Sequence, residues 1–216
     1  MSYVDPADIA ALEARCGRPR EVALEAEFGE AAFQLLRHSM RHGRRHDVTL
    51  LIFDRPELDP ARTRIVVIRK TVYPEGVFRF PSGGVERGEA FEAGARREAL
   101  EETGLDCRLV RYLLRIEATF TNGPEREPWT THVVAAVRTG GDLAPRDTIE
   151  IAEAAFASRA EIRTTYRDRL LVTGSGGLRY RAALADLALD EVERLEAAGP
   201  APWAPGATGK TGEESR

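Results

Sequence analysis

Glu98, Glu101 and Glu102 stand at i, i+3, i+4 in the stretch AFEAGARREALEETGL. At about 100° per residue, their carboxylates share an arc of about 100° on one helix face. Like charges so placed repel one another and weaken an isolated helix. A hard divalent cation offsets that repulsion. Carboxylate oxygens suit Mg²⁺ or Mn²⁺, and Mg²⁺ typically shares its shell with waters and substrate phosphates. Three glutamates alone read more simply as a solvated acidic face, so the residues around them must decide.

The elements that have to position these carboxylates can be read from pattern. Ala90 to Thr103 is rich in good helix formers apart from Gly94, and Gly104 supplies the stop. Strands are expected at Asp47–Asp54 and Arg64–Arg69, with a Pro-containing loop at Arg55–Thr63 between them. Val77–Phe80 is a short extended piece that ends at Pro81 and is broken by Ser82-Gly83-Gly84. Leu109–Phe120 and Thr131–Arg138 read as strands, separated by Asn122-Gly123-Pro124 and followed by Gly140-Gly141.

Helices are expected at Ala7–Arg15, with Asp5 and Pro6 at its start, at Phe28–His42, and at Arg179–Glu196. Glu21–Ala26 reads as either helix or strand. Residues 197–216, rich in Pro, Gly and Ala, read as a disordered tail. The whole reads as an α/β protein of the α+β type, with a mixed β-sheet layered between helices and an N-terminal helical extension.

Composition bounds the function. The 216 residues are 43% hydrophobic and 31% charged, enough for one packed domain with appendages. With 31 Lys+Arg against 35 Asp+Glu the formal net charge is −4. That argues against binding duplex nucleic acid or anionic lipid through bulk charge. Cys16 and Cys107 form no CxxC pair, the first ten residues lack a secretory pattern, and no apolar run approaches the roughly 18 residues of a membrane span. A cytoplasmic protein with no membrane partner is expected.

Gly83 to Leu105 fits one longer pattern. It runs Gly, five residues, Glu, seven residues, Arg-Glu, an apolar residue, any residue, Glu-Glu, any residue, Gly and an apolar residue. The positions are Gly83, Glu89, Arg97, Glu98, Ala99, Glu101, Glu102, Gly104 and Leu105. A chance match of the fixed identities is below about 10⁻⁴ on composition. The stretch resembles the Nudix box of the Nudix hydrolase superfamily. Its one departure is Ala99, where the family usually carries a larger aliphatic residue. The resemblance implies a Nudix domain over residues 46–196, with residues 1–45 as the extension and 197–216 as the tail.

By that resemblance Glu98, Glu101, Glu102 and the Gly83 carbonyl are the metal ligands. Mg²⁺ is the expected ion, with Mn²⁺ as a substitute. Glu89 and Arg97 resemble a buried ion pair that braces the box, and Gly83 and Gly104 are expected where a side chain is disfavoured. The implied reaction is hydrolysis of a nucleoside diphosphate linked to another moiety, by a metal-activated water. The implied partner is that small nucleotide derivative. Glu101, Glu102 and Glu150 are the catalytic candidates, with Glu101 or Glu150 as the general base and Glu153 beside it. Arg69, with Lys70, is a candidate for substrate phosphates, with strand-edge charges as the equal alternative. Phe78 is a candidate for stacking on a base, with core packing as the alternative, and Trp129 is read in the same two ways.

Markers of substrate choice lie outside the box and are mostly missing. The proline of ADP-ribose hydrolases is absent, with Phe120-Thr121 in its region, and the NADH-type SQPWPFPxS array is absent too. Phe80-Pro81-Ser82-Gly83-Gly84 resembles the FP-x-GG lead-in of RNA 5′-pyrophosphohydrolases and dinucleoside polyphosphate hydrolases. The run from Arg37 to His46 places His38, His42 and His46 four apart, but Gly43 should end the helix and spoil a three-histidine face. Cations there are favoured by the helix C-terminus. Two other functions are compatible with the fold: a sensor that binds a nucleotide without cleaving it, and homodimerisation through the N-terminal segment, which does not compete with catalysis.

Overall fold

A computed structural model describes residues 4–55 and 62–199. The centre is β2 (His46–Phe53), HDVTLLIF, buried at every position. A strand covered on both faces loses the alternation of a half-exposed one, which is why its apolar run is continuous. On one side β2 runs parallel to β6 (Glu125–Gly141), from His46↔Thr130 to Phe53↔Val137. β6 forms a long antiparallel hairpin with β5 (Leu105–Asn122), turning at Gly123.

On its other side β2 forks. It meets β3 (Ile65–Lys70) at a single pair, Phe53↔Ile65, while the short β4 (Ser82–Gly83) pairs with Thr49 and Val48. The segment leading into β4 fills the opening. Arg79 exchanges two backbone hydrogen bonds with Ile68, 2.8 and 2.9 Å, and the Leu50 amide donates to the Pro81 carbonyl, 2.9 Å. β7 (Ile151–Ala157) completes the far edge, antiparallel to β3. With β1 (Arg20–Glu27) at the near edge, the strand order is β1-β5-β6-β2-β3-β7.

Helices cover both faces. α1 (Pro6–Cys16) and α3 (Phe91–Thr103) pack Leu12, Phe91, Ala95 and Ala99 against Val48, Leu50 and Ile52. α2 (Glu30–Ser39) and α6 (Gly176–Ala197) pack Phe33, Leu184, Ala188 and Leu189 against Leu51, Phe53 and Val133. The mixed sheet between helices is the architecture the sequence led us to expect. No helix among the described residues is long and apolar enough to cross a membrane.

Three differences stand out. First, residues 1–45 are not a purely helical appendage. β1 (Arg20–Glu27) lies in the main sheet, parallel to β5 from Arg20↔Leu114 to Glu27↔Thr121. REVALEAE is mostly Ala, Leu, Glu and Arg, all good helix formers, with Val22, Leu24 and Ala26 on one strand face, so its neighbours decide the outcome. Second, α2 stops at Ser39, short of His42, which lies in a 3₁₀ turn at φ 68. Third, β7 and the helical run after it were not anticipated. That run comprises α4 (Arg159–Glu161), a π-helical turn at Ile162–Tyr166 and α5 (Arg167–Val172). The expected tail beyond Gly199, and most of the Pro-containing loop at 56–61, lie outside the described residues.

Candidate active site

α3 begins at Phe91 after Ala90, whose side chain cannot cap it. The missing acceptor comes from α1, where Asp8 accepts from the Phe91 amide, 3.1 Å. At the other end Gly104 takes φ 77, the left-handed stop that favours glycine, and its amide returns to the Leu100 carbonyl. The helix is therefore fixed at both ends, and its acidic face meets the turn at Ser82–Gly84.

Arg97 organises the outer half of that contact. Its Nε and Nη2 each donate to one Glu89 oxygen, both 3.0 Å, and Nη2 also donates to the Gly84 carbonyl, 2.8 Å. Nη1 reaches Glu98 at 3.1 Å and Glu101 at 2.9 Å. The bidentate pair holds the Glu89 carboxyl below the usual range, and Glu89 raises the Arg97 guanidinium further. The brace is half-buried, not fully buried as the resemblance suggested, with Arg97 27% and Glu89 20% exposed.

Glu98 accepts from the Gly84 amide, 3.1 Å. A β-carbon on Gly83 would overlap the Glu98 carboxylate. Gly83 lets that carboxylate come close, and a side chain in its place would have to push it off the Gly84 amide and Arg97. It is not among the glycines at positive φ, so the backbone reason expected for it holds only for Gly104. Glu102 lies deeper, its side chain 5% exposed. One oxygen accepts from the Ser82 amide, 2.7 Å, and the other lies 3.4 Å from Arg79 Nη2. Burial raises both carboxyls above the usual range. Arg97 opposes this at Glu98, and Arg79 and Lys70 oppose it at Glu102. Glu101 is more open, 46% exposed.

The loop after β6 docks on the end of α3, where the Arg146 and Asp147 amides donate to the Glu101 carbonyl, 2.9 and 3.0 Å. Asp147 in turn accepts from the Glu150 amide, 3.0 Å. This brings Glu150, 52% exposed, into an ion pair with Lys70. Burial pushes Lys70 down to about 8, with Arg79 adding to the fall and Glu102 opposing it.

The candidate substrate residues fall elsewhere than expected. Arg69 is paired with Glu153 across the β3–β7 ladder, 3.4 Å, and its neighbour Lys70 is the cation that feels Glu98 and Glu102. Phe78 is 6% exposed with its ring 5.0 Å from that of Tyr166, so it is enclosed in the core and has no face for a base. Trp129 follows its packing alternative, buried in β6, where its indole donates to Asp47, 2.9 Å. His38, His42 and His46 lie on α2, the 3₁₀ turn and β2, and form no common face.

Three charged residues near the cleft had not been singled out. Arg79 sits between two phenylalanines, and a charge inside an apolar run was its only signal. Asp47 opens an otherwise apolar strand and is fully engaged, accepting from Trp129, Thr131 (2.6 Å) and Arg181 (3.0 Å). Arg181 also donates to Thr49, 3.2 Å, and nothing in the sequence of α6 marks it. From the basic run, Arg44 stands over the Trp129 ring, 5.6 Å from its centre, and packs against Gly84.

No group of three or more His, Cys, Asp or Glu among the described residues is gathered closely enough to hold an ion unaided. The donor set is nonetheless all oxygen. Glu98 and Glu102 face the same glycine turn, and the Glu98 carboxylate occupies the space a Gly83 side chain would take. This suits a hard cation that completes its shell with water and phosphate oxygens.

A model of the NUDIX domain matches residues 34–172, from within α2 to the end of α5. The NAD-capped RNA hydrolase NudC of Mycobacterium tuberculosis is 34% identical over 119 residues, covering 50% of this chain and 35% of that protein. The putative mutator protein MutT4 of the same species is 30% identical over 131 residues, covering 60% and 48%. The chain therefore spans between about a third and a half of the length of these curated relatives. Among solved structures, a NUDIX hydrolase from Nitrosomonas europaea is 18% identical with a TM-score of 0.47, covering 80% of this chain and 99% of that one. A UDP-X diphosphatase is 19% identical with a TM-score of 0.42, covering 61% of each chain. The matched region takes in the entire glutamate-bearing helix and its glycine turn, and the chain belongs to the Nudix hydrolase family.

Proposed function

We propose that this chain is a divalent-metal-dependent hydrolase of the diphosphate linkage in a nucleoside diphosphate joined to another moiety. The observation that carries this reading is the pair of desolvated carboxylates, Glu98 and Glu102, held against the Ser82–Gly84 turn by backbone amides at 3.1 and 2.7 Å. Glu98, Glu102 and the Gly83 carbonyl would hold Mg²⁺, or Mn²⁺ in its place, with Glu101 at the open side. When bound, such an ion neutralises phosphate charge and lowers the pKa of a bound water.

The remaining chemistry belongs to the chain's own residues. Lys70, Arg79 and Arg181 supply positive charge beside the cleft, suited to phosphate oxygens. Glu101 and Glu150 are the more solvent-accessible carboxylates, so they are the groups placed to take a proton from water. Arg97 keeps the outer carboxylates from splaying. The buried free thiols of Cys16 and Cys107 suit a reducing, cytoplasmic setting.

Purified protein given Mg²⁺ or Mn²⁺ and a panel of substrates tests the reading. The panel holds dinucleotides, nucleotide sugars, dinucleoside polyphosphates, nucleoside triphosphates and RNA with NAD or triphosphate ends. Metal-dependent release of a phosphorus-containing product from at least one of them is expected. Binding without turnover across the panel would instead support a nucleotide sensor.

A further inference from the structure

Arg79, on the segment leading into Gly83, and Glu102, near the end of α3, form an ion pair with side chains only 3% and 5% exposed. The pair is poorly made. Arg79 Nη2 stands 3.4 Å from Glu102, while Nη1 makes the shorter bonds, to the Phe80 carbonyl (2.9 Å) and the Ser82 hydroxyl (2.6 Å). Arg79 Nε is buried without a hydrogen-bond partner. A buried pair of this quality is a weak source of stability, because the cost of removing both charges from water is not recovered by an imperfect contact.

The geometry instead resembles a placeholder. The guanidinium supplies positive charge beside Glu102. Without it the buried Glu102 carboxylate would face Glu98 with only Lys70 in opposition. The two Nη1 bonds of Arg79 go to neutral oxygens and do not depend on Glu102. Arg79 therefore stays anchored if Glu102 turns to another cation. A divalent ion is a stronger partner for carboxylate than a guanidinium held at the edge of hydrogen-bond range.

We propose that Arg79 is the resident counter-ion of Glu102, which a divalent cation has to displace on binding, so that Arg79 sets the metal affinity of the site and lets the chain fold without metal. This rests on the reading of Glu102 as a metal ligand.

Mn²⁺ titration by calorimetry, with thermal unfolding in the presence and absence of Mn²⁺, tests it on the full chain. Four proteins are compared: the unaltered chain, Arg79→Met, Glu102→Gln and the double variant. Arg79→Met is expected to bind Mn²⁺ about tenfold more tightly, because a competing charge is gone. It is also expected to melt lower without metal and to recover with saturating Mn²⁺. In the double variant both changes disappear. A folded Arg79→Met that binds Mn²⁺ no more tightly than the unaltered chain overturns the proposal and leaves the metal-site reading intact. An unaltered chain that binds no Mn²⁺ overturns that reading, and the proposal with it. If Arg79→Met does not fold, Mg²⁺ is titrated into the unaltered chain and the Arg79 Nε–H resonance is followed by NMR. It should shift in step with the Gly83 amide. An Arg79 signal that stays fixed while Gly83 saturates overturns the proposal.

Discussion

Two arginines meet the box glutamates in opposite ways. Arg97 lies at the outer edge, 27% exposed, and collects three carboxylates and a carbonyl at 2.8 to 3.1 Å. Arg79 lies at the inner edge, 3% exposed, with one carboxylate at 3.4 Å. The outer cluster has good geometry in a setting that water and salt screen. The inner one has poor geometry where nothing screens it. Contact number therefore does not rank their importance. Burial does, because a charge stranded in the interior costs far more than one stranded at the rim.

The largest test of this contrast is catalytic. Glu102→Gln, read by steady-state turnover with Mg²⁺, should lower activity at least about 10²-fold while the far-UV circular dichroism stays unchanged. Next comes stability without metal. Urea titration should show a loss of about 3 kcal/mol for Arg79→Met and only about 1–2 kcal/mol for Arg97→Met, in spite of the longer list of bonds at Arg97. Equal losses would break the contrast.

A third test uses a buried base, where the charge of Asp47 only partly offsets the effect of burial. His132 contacts the Tyr112 hydroxyl and the Phe91 ring, and burial pushes it down to about 3, with His46 adding to the fall. The unfolded chain takes up a proton below its ordinary value of 6.5, while the folded chain refuses it. Stability should therefore fall as pH drops from about 6.5 towards 3, by about 1.4 kcal/mol per pH unit for this one group. Measured by denaturation at several pH values, His132→Gln should flatten that slope. The smallest effect is expected at the start of the box helix. Asp8→Ala should cost about 1 kcal/mol, the usual worth of a cap. A loss too small to measure would mean that α1 adds nothing to α3.

What could be read in the sequence was local. The i, i+3, i+4 glutamates, the partner Glu89 at fixed distance from Arg97, and the Gly104 stop all interact within one helix and its adjoining loop, so spacing specifies them. The inner charges depend on residues far apart in the chain. Arg181 reaches Asp47 from α6, and Lys70 meets Glu150 only because the loop after β6 docks on α3. No spacing rule encodes such meetings. Phe78 misled for a related reason, since an aromatic before a glycine turn has the same pattern whether it faces a cleft or a core. β7 was obscured by its composition, because IAEAAFA carries four alanines, which favour helix over strand.

The single Phe53↔Ile65 pair has a consequence for how the glycine turn is held. Two limbs of the sheet diverge from that point, and the segment leading to Gly83 is hydrogen-bonded to both, through Arg79 to Ile68 and through Pro81 to Leu50. Both residues at the apex are apolar and sealed from water. Bulk added or removed there would shift both limbs, and the turn they carry, without altering one charged group.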